Sequence, residues 1–172
     1  LPGGPGTIHP LVTVSNSETG HGGLNVRLGI VRAICFNLAT VEDVVTRIHL
    51  GERLEVGIFS EETQSVDARA IYLKARDAVR TAFDPEKFKK MVEIAKRAAS
   101  KELGDPSSAV DNIVEQFDLS QKERDSVLLH FGAEDTTQWG LSQAIARTAQ
   151  DTEDGEKAHV LETIAGKVLV NS

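Results

Sequence analysis

The sequence predicts an α+β fold: a small antiparallel sheet of three to four strands, followed by a helical C-terminal half of five to six helices. Up to residue 59, apolar residues alternate at period two, which is typical of strands. From Ser60 onward they recur at the three- and four-residue spacing of helices. We therefore predict an N-terminal β-rich part over residues 1–59 and a helical part over residues 60–172, within one compact domain.

The first two predicted strands flank a polar, glycine-rich loop. Residues 11–14 form a short β-rich run, and residues 15–23 read as the loop. The strand from Asn25 to Phe36 carries apolar residues on one face, and its other face is small or apolar beyond Arg27. A strand that is apolar on both faces is usually covered on both sides, so this should be the central strand.

A hairpin is predicted next. The strands run from Val44 to Leu50 and from Leu54 to Ile58, and a three-residue loop at Gly51-Glu52-Arg53 keeps their apolar residues together. In this register the polar face exposes Arg47, His49 and Glu55, with Arg53 at the tip.

The helices are predicted from their start signals. Asp84-Pro85 and Asp105-Pro106 each combine a capping carboxylate with proline at the first helical position, and Ser120 with Glu123 forms a capping box. A helix before Asp84 and two further helices, with apolar seams over residues 141–148 and 158–168, complete the set. The carboxylate pairs Glu61-Glu62 and Glu42-Asp43 are both interpreted as lying next to helix starts, where they favour the positive end of the dipole.

Composition excludes several classes of protein. One cysteine, Cys35, rules out an intrachain disulfide framework, and no CxxC pair exists to bind zinc. No apolar run approaches the roughly 18 residues needed to cross a bilayer and no signal peptide is visible, so we expect a cytoplasmic protein without membrane partners. The proline- and glycine-rich start, residues 1–6, predicts a loose segment at an incomplete or processed terminus.

The net charge of −7 argues against a protein that simply coats nucleic acid. The charge is unevenly distributed, however. Residues 1–59 carry four Lys/Arg against five Asp/Glu, residues 60–103 carry ten against eight, and residues 104–172 carry five against thirteen. The acidity therefore belongs to the C-terminal part, and the ordinary interpretation is a solvated helical surface.

Three segments carry a resemblance to a known family. They are Arg32-Ala33-Ile34-Cys35-Phe36-Asn37, Arg47-Ile48-His49-Leu50-Gly51, and Phe131 to Gln150 with Thr137-Gln138-Trp139-Gly140. In these segments the chain resembles the phage- and plasmid-related domain-of-unknown-function family 932. It departs from that family at Leu38, at Leu50, and at Gln143-Ala144-Ile145-Ala146. The resemblance implies a mobile-element context, in which small proteins handle nucleic acid, host defence or particle assembly.

The order of elements is also similar in outline to the single-strand annealing proteins of phages. A strand–hairpin run precedes a long helix with basic residues in both. Those proteins form rings and hold a DNA strand along a positive groove, and we take the likeness as topological only.

Catalytic and metal sites are poorly supported by the sequence. Cys35 lies in an apolar strand, where the thiol pKa rises, so a buried core cysteine is favoured over a nucleophile. The five histidines show no i, i+4 pairing, and His49 is interpreted as a hydrogen-bonded structural residue. The glycine-rich loop lacks the lysine of a P-loop. We expect no cofactor and no metal, and the sequence disfavours an enzyme without excluding one.

A positive stripe is the remaining candidate site. Its predicted nucleic-acid-binding residues are Arg27, Arg47, Arg53, Arg69, Lys74, Arg76, Arg80 and Tyr72. Phosphate binding needs several converging cations, and single-strand binding needs exposed aromatic residues, for which only Tyr72 and Phe59 qualify. The competing interpretation is ordinary ion pairing with Asp67 and Asp77 on a solvated face.

The sequence thus favours a nucleic-acid-binding protein of phage or plasmid DNA metabolism, as an oligomer that holds single strands. The alternative is a non-enzymatic, oligomeric assembly or interaction protein of a mobile element. Its subunits would pack through the small face of Val31, Ala33 and Cys35. A hydrolase or nuclease whose residues converge only in space is the third and weakest hypothesis.

Overall fold

The computed structural model describes residues 6–15, 24–32, 38–48 and 58–171. The predicted α+β class is confirmed, with a small antiparallel sheet followed by a helical C-terminal half. The strands of the described residues are β1 (Ile8–Ser15), β2 (Leu24–Arg32) and β3 (Leu38–Ile48). The helices are α1 (Glu61–Ala82), α2 (Pro85–Ser100), α3 (Pro106–Phe117), α4 (Gln121–Phe131), α5 (Gln138–Gln150) and α6 (Gly155–Val170).

Strand β2 is central, as its two apolar faces predict, and it pairs antiparallel with both β1 and β3. Leu28 and Ile30 lie on the face predicted to be apolar, and each is only 1% exposed. Strand β1 is longer than the predicted Leu11–Val14 run and includes Pro10. Among the described strands β1 lies at an edge of the sheet, where proline, which has no amide hydrogen to donate, can be accommodated.

The interpretation of Glu42-Asp43 as a helix-start signal is wrong, since both residues lie within β3. The β-branched residues around them favour a strand, and pairing with β2, in which Glu42 lies opposite Leu28, satisfies the backbone. The register between β2 and β3 shifts at several points, which is typical of bulged strands. The predicted turn at residues 51–53, and the strand after it up to residue 57, lie outside the described residues.

The predicted helix starts are confirmed. Asp84 accepts a hydrogen bond from the amide of Glu86, and Asp105 accepts one from the amide of Ser108. Ser120 and Glu123 cap each other's backbone amides reciprocally. These local contacts satisfy amides that a helix leaves unpaired at its N-terminus, which is why the boundaries can be read from sequence.

Helix α5 is the centre of the helical half. Of its thirteen residues only Arg147 and Gln150 are exposed, and it packs against α2, α4, α6 and β3. Two of its buried polar side chains bond to α6: Ser142 donates to the carbonyl of Ala165 at 2.9 Å, and Gln138 donates to that of Val168. Leu28 and Ile30 belong to the same core cluster as the α5 residues. In the described part of the chain, every helix is too short or too polar to span a membrane.

Candidate nucleic-acid interface

Helix α1 begins and ends where local chemistry dictates. Ser60 caps it, accepting a hydrogen bond from the amide of Thr63, and Glu61 and Glu62 occupy the first turn. It ends before Asp84, the cap of α2. Its apolar residues, such as Ile71 and Val79, are partly buried where α1 packs against β2 and β3. On the remaining surface of the helix, Arg69, Tyr72 and Arg80 are exposed.

Beside the packed side lies a set of cationic and aromatic residues, which we call the basic-aromatic face: Arg69, Tyr72, Arg76, Arg80 and Phe83. Arg76 is half-buried, and the other four are exposed. At about 100° per residue, their positions fall within an arc of about 80°, and they extend over about 21 Å of helix. Three of the eight predicted site residues are thus arginines on one surface, and Tyr72 lies between two of them.

Tyr72 is 67% exposed and lies three residues after Arg69 and four before Arg76, the spacing at which helical side chains are neighbours. Phe83, at the end of the helix, is 59% exposed. Phe83 was not among the aromatic residues predicted to be exposed, which were Tyr72 and Phe59. The signal was its spacing, since Phe83 follows Arg76 by seven residues and so returns to the same side of the helix.

The charges on the basic-aromatic face are only partly neutralised. Arg76 donates two hydrogen bonds to Asp77, at 2.8 and 2.9 Å, in an exposed ion pair. Such surface pairs contribute little free energy and leave the guanidinium available to another anion. Among the described residues, no carboxylate pairs with Arg69 or Arg80, and both side chains are exposed.

Lys74 lies on a different side of α1 from the three arginines. It is exposed, but five residues separate it from Arg69, which turns it about 140° around the helix axis. Exposed cations continue instead on α2, at Lys89, Lys90 and Lys96.

Arg27, which was predicted to belong to the positive stripe, lies apart from this face. It is half-buried, and its guanidinium lies 2.9 Å from Nδ1 of His159 on α6. Because arginine only donates, this contact requires an unprotonated Nδ1. Glu162 completes the cluster: burial raises the pKa of its carboxyl, and the charge of Arg27 acts in the opposite direction.

The other predicted residues of the sheet cannot be assigned to this surface. The backbone of Arg47 lies in β3, but its side chain is outside the described residues, as are Arg53, His49 and Cys35. Of the small face proposed for subunit packing, Val31 is half-buried in β2, and Ala33 and Cys35 lie outside the described residues. Among the described residues, no three His, Cys, Asp or Glu side chains are grouped as metal ligands.

The Thr137-Gln138-Trp139-Gly140 segment, which carries part of the family resemblance, has a structural role. Thr137 caps α5 by accepting from the amide of Gly140 at 3.1 Å, Gln138 bonds to α6, and Trp139 is 1% exposed. Each residue of this motif is therefore explained by the packing of α5.

Comparison of the chain with protein-family models, with curated proteins and with solved structures gave no match. The resemblance to family 932 stays a prediction.

Proposed function

We propose that this protein binds single-stranded nucleic acid through the basic-aromatic face of α1, as a cytoplasmic protein of phage or plasmid DNA metabolism. One observation carries the proposal: Tyr72 is largely exposed and is flanked on the same side of the helix by Arg69 and Arg76. The mobile-element context comes from the family resemblance alone.

The chemistry of the face suits a polyanion with accessible bases. Guanidinium groups bind phosphates in a fixed, two-pronged geometry, and the released counterions supply much of the affinity. An aromatic ring between them offers a surface on which one base can stack, at about 1–3 kcal/mol per base. Stacking of that kind requires an unpaired base, which favours a single strand over a duplex.

The distribution of charge is compatible with this interface despite the net charge of −7. From Ala68 to Ala82, helix α1 carries four cations and one carboxylate. Helix α2 continues the excess with five cations and two carboxylates. The other three carboxylates of α1, Glu61, Glu62 and Asp67, lie before Arg69, so the excess of cations is confined to the part of the helix that carries the basic-aromatic face.

Binding to labelled single- and double-stranded oligonucleotides, measured by fluorescence anisotropy across a salt series, tests the proposal. We expect the single strand to bind more tightly, with affinity falling as salt rises. Replacing Tyr72 by alanine should weaken single-strand binding about 5- to 150-fold, which corresponds to the loss of one stacked base. The combined R69A/R80A variant should lower the salt slope by about 1.4, for two lost phosphate contacts.

Two exposed residues of α4 provide matched controls: Leu129, which is 74% exposed, and Lys122. Alanine at either position should leave affinity and salt slope unchanged. Absence of binding at low salt would overturn the proposed function. Equal affinity for duplex and single strand, or an unaffected Y72A variant, would overturn the stacking role of Tyr72.

A further inference from the structure

A second surface of the chain has the opposite character to the basic-aromatic face. An open groove of about 670 Å³ lies where the end of α3 meets the starts of α4 and α6. Its apolar lining is Phe117, Leu119, Val160 and Leu161. We call this the acidic groove, because the carboxylates that surround the apolar lining are Asp118, Glu123, Asp154 and Glu156.

Several features show that the groove presents both charge and apolar surface. Val160 is 53% exposed, although it is a large aliphatic residue. The hydroxyl of Ser120 holds the pKa of Glu123 below its usual range, so this carboxylate stays ionised. Two cations are close to the groove: Lys157 is 3.6 Å from Glu123, and Lys167 lies 5.6 Å from the centre of the Phe117 ring. A neighbouring cavity shares this wall and adds the carboxylates Asp151 and Glu153 and the cation Lys122.

The two surfaces are complementary in both respects. Arginines on the basic-aromatic face match the carboxylates of the acidic groove, and the exposed rings of Tyr72 and Phe83 match its apolar lining. Within one chain α1 is packed against β2 and β3, whereas the groove is formed by α3, α4 and α6. The occupant that fits is therefore α1 of another copy.

We propose that the basic-aromatic face of one copy docks in the acidic groove of a second copy, and that nucleic acid competes with this contact. The contact joins two different surfaces and is therefore a heterologous, head-to-tail contact. Repeated from copy to copy, it builds a closed ring or an open chain of subunits. The competition rests on the proposed function, because nucleic acid and the acidic groove would both bind Arg69, Tyr72 and Arg80. The docking between copies does not depend on the proposed function.

Sedimentation velocity of the full chain tests the docking. We expect concentration-dependent association at low salt that is lost at high salt. R69E/R80E makes the basic-aromatic face negative, and E153K/E156K cancels the negative charge in and beside the acidic groove, so each variant should be a monomer. These positions are exposed and leave the helix caps Ser120 and Asp154 in place. The matched control E93K/E115K, on exposed positions of α2 and α3, should associate as the unmodified chain does.

Mixing the two reversed variants gives the decisive result. Each variant alone lacks one of the two complementary surfaces. In the mixture, the unmodified groove of R69E/R80E can bind the unmodified face of E153K/E156K, so the two variants should associate with each other. Folding of each variant is checked by circular dichroism. A monomeric unmodified chain at low salt, association that survives either reversal, or folded variants that fail to associate when mixed would each overturn the docking.

An added single-stranded oligonucleotide separates this inference from the proposed function. Dissociation of the assembly on oligonucleotide binding is the expected result. Oligonucleotide binding that leaves the assembly intact would overturn the competition. Self-association with no oligonucleotide binding would overturn the proposed function while the docking between copies stands.

Discussion

At the scale of single residues, position 140 shows how tightly the start of α5 is packed. A Cβ atom added to Gly140 would lie 1.9 Å from the carbonyl oxygen of Asp135, well inside van der Waals contact. The segment before α5 must therefore move to admit any side chain. This close approach also brings the amide of Gly140 to the hydroxyl of Thr137, which caps the helix.

We therefore predict that Gly140→Ala lowers the free energy of unfolding by about 1–3 kcal/mol, the usual range for overpacking. Gly155→Ala is the matched control, because nothing lies within 4 Å of a Cβ added there and alanine is the better helix former. Urea denaturation of both variants measures the difference. Equal stability of the two variants would contradict the packing argument.

At the scale of elements, the helices could be predicted and much of the sheet could not. Each helix start depends on contacts between neighbours in sequence, such as Asp105 with Ser108. Strand pairing depends on distant residues, so Glu42 was misinterpreted as a helix-start residue. The same holds for the candidate site. The positions of the α1 side chains could be predicted from helical spacing, whereas the contact of Arg27 with His159, 132 residues away, could not.

The capping box of α4 gives a prediction at this scale. Replacing Ser120 by alanine removes a helix cap and should cost about 1 kcal/mol at neutral pH. The pKa of Glu123 is lowered in the folded chain, chiefly by the Ser120 hydroxyl, so its contribution is complete above the ordinary carboxyl pKa. That contribution is lost as pH falls through the lowered value.

The difference in stability between the unmodified chain and S120A should therefore narrow on acidification below about pH 4.3, the ordinary pKa of glutamate. Urea denaturation at neutral and acidic pH measures it. Exposed Ser107, in the first turn of α3, provides the matched serine-to-alanine control. A difference that stays constant with pH would show that Glu123 is not the titrating group.

At the scale of the whole molecule, the question is how far the sheet and the helices depend on each other. Leu28 and Ile30 of β2 lie in one core cluster with Trp139 and Ile145 of α5. Arg27 joins β2 to α6 through His159, and Arg32 joins the end of β2 to Glu134, before α5, by two hydrogen bonds of 2.9 and 3.0 Å. These contacts support the prediction of one compact domain.

That prediction can be tested because the chain has a single tryptophan, Trp139, buried in the helical half. Leu28→Ala in the sheet should cost about 2–5 kcal/mol, as for other buried leucines. If the sheet and helices unfold together, the fluorescence transition of Trp139 shifts by the same amount as the far-ultraviolet circular dichroism transition. Leu129→Ala, on an exposed side chain, should shift neither transition. An unshifted fluorescence transition in Leu28→Ala would instead show that the helical half is stable without the sheet, because the probe lies in one part and the substitution in the other.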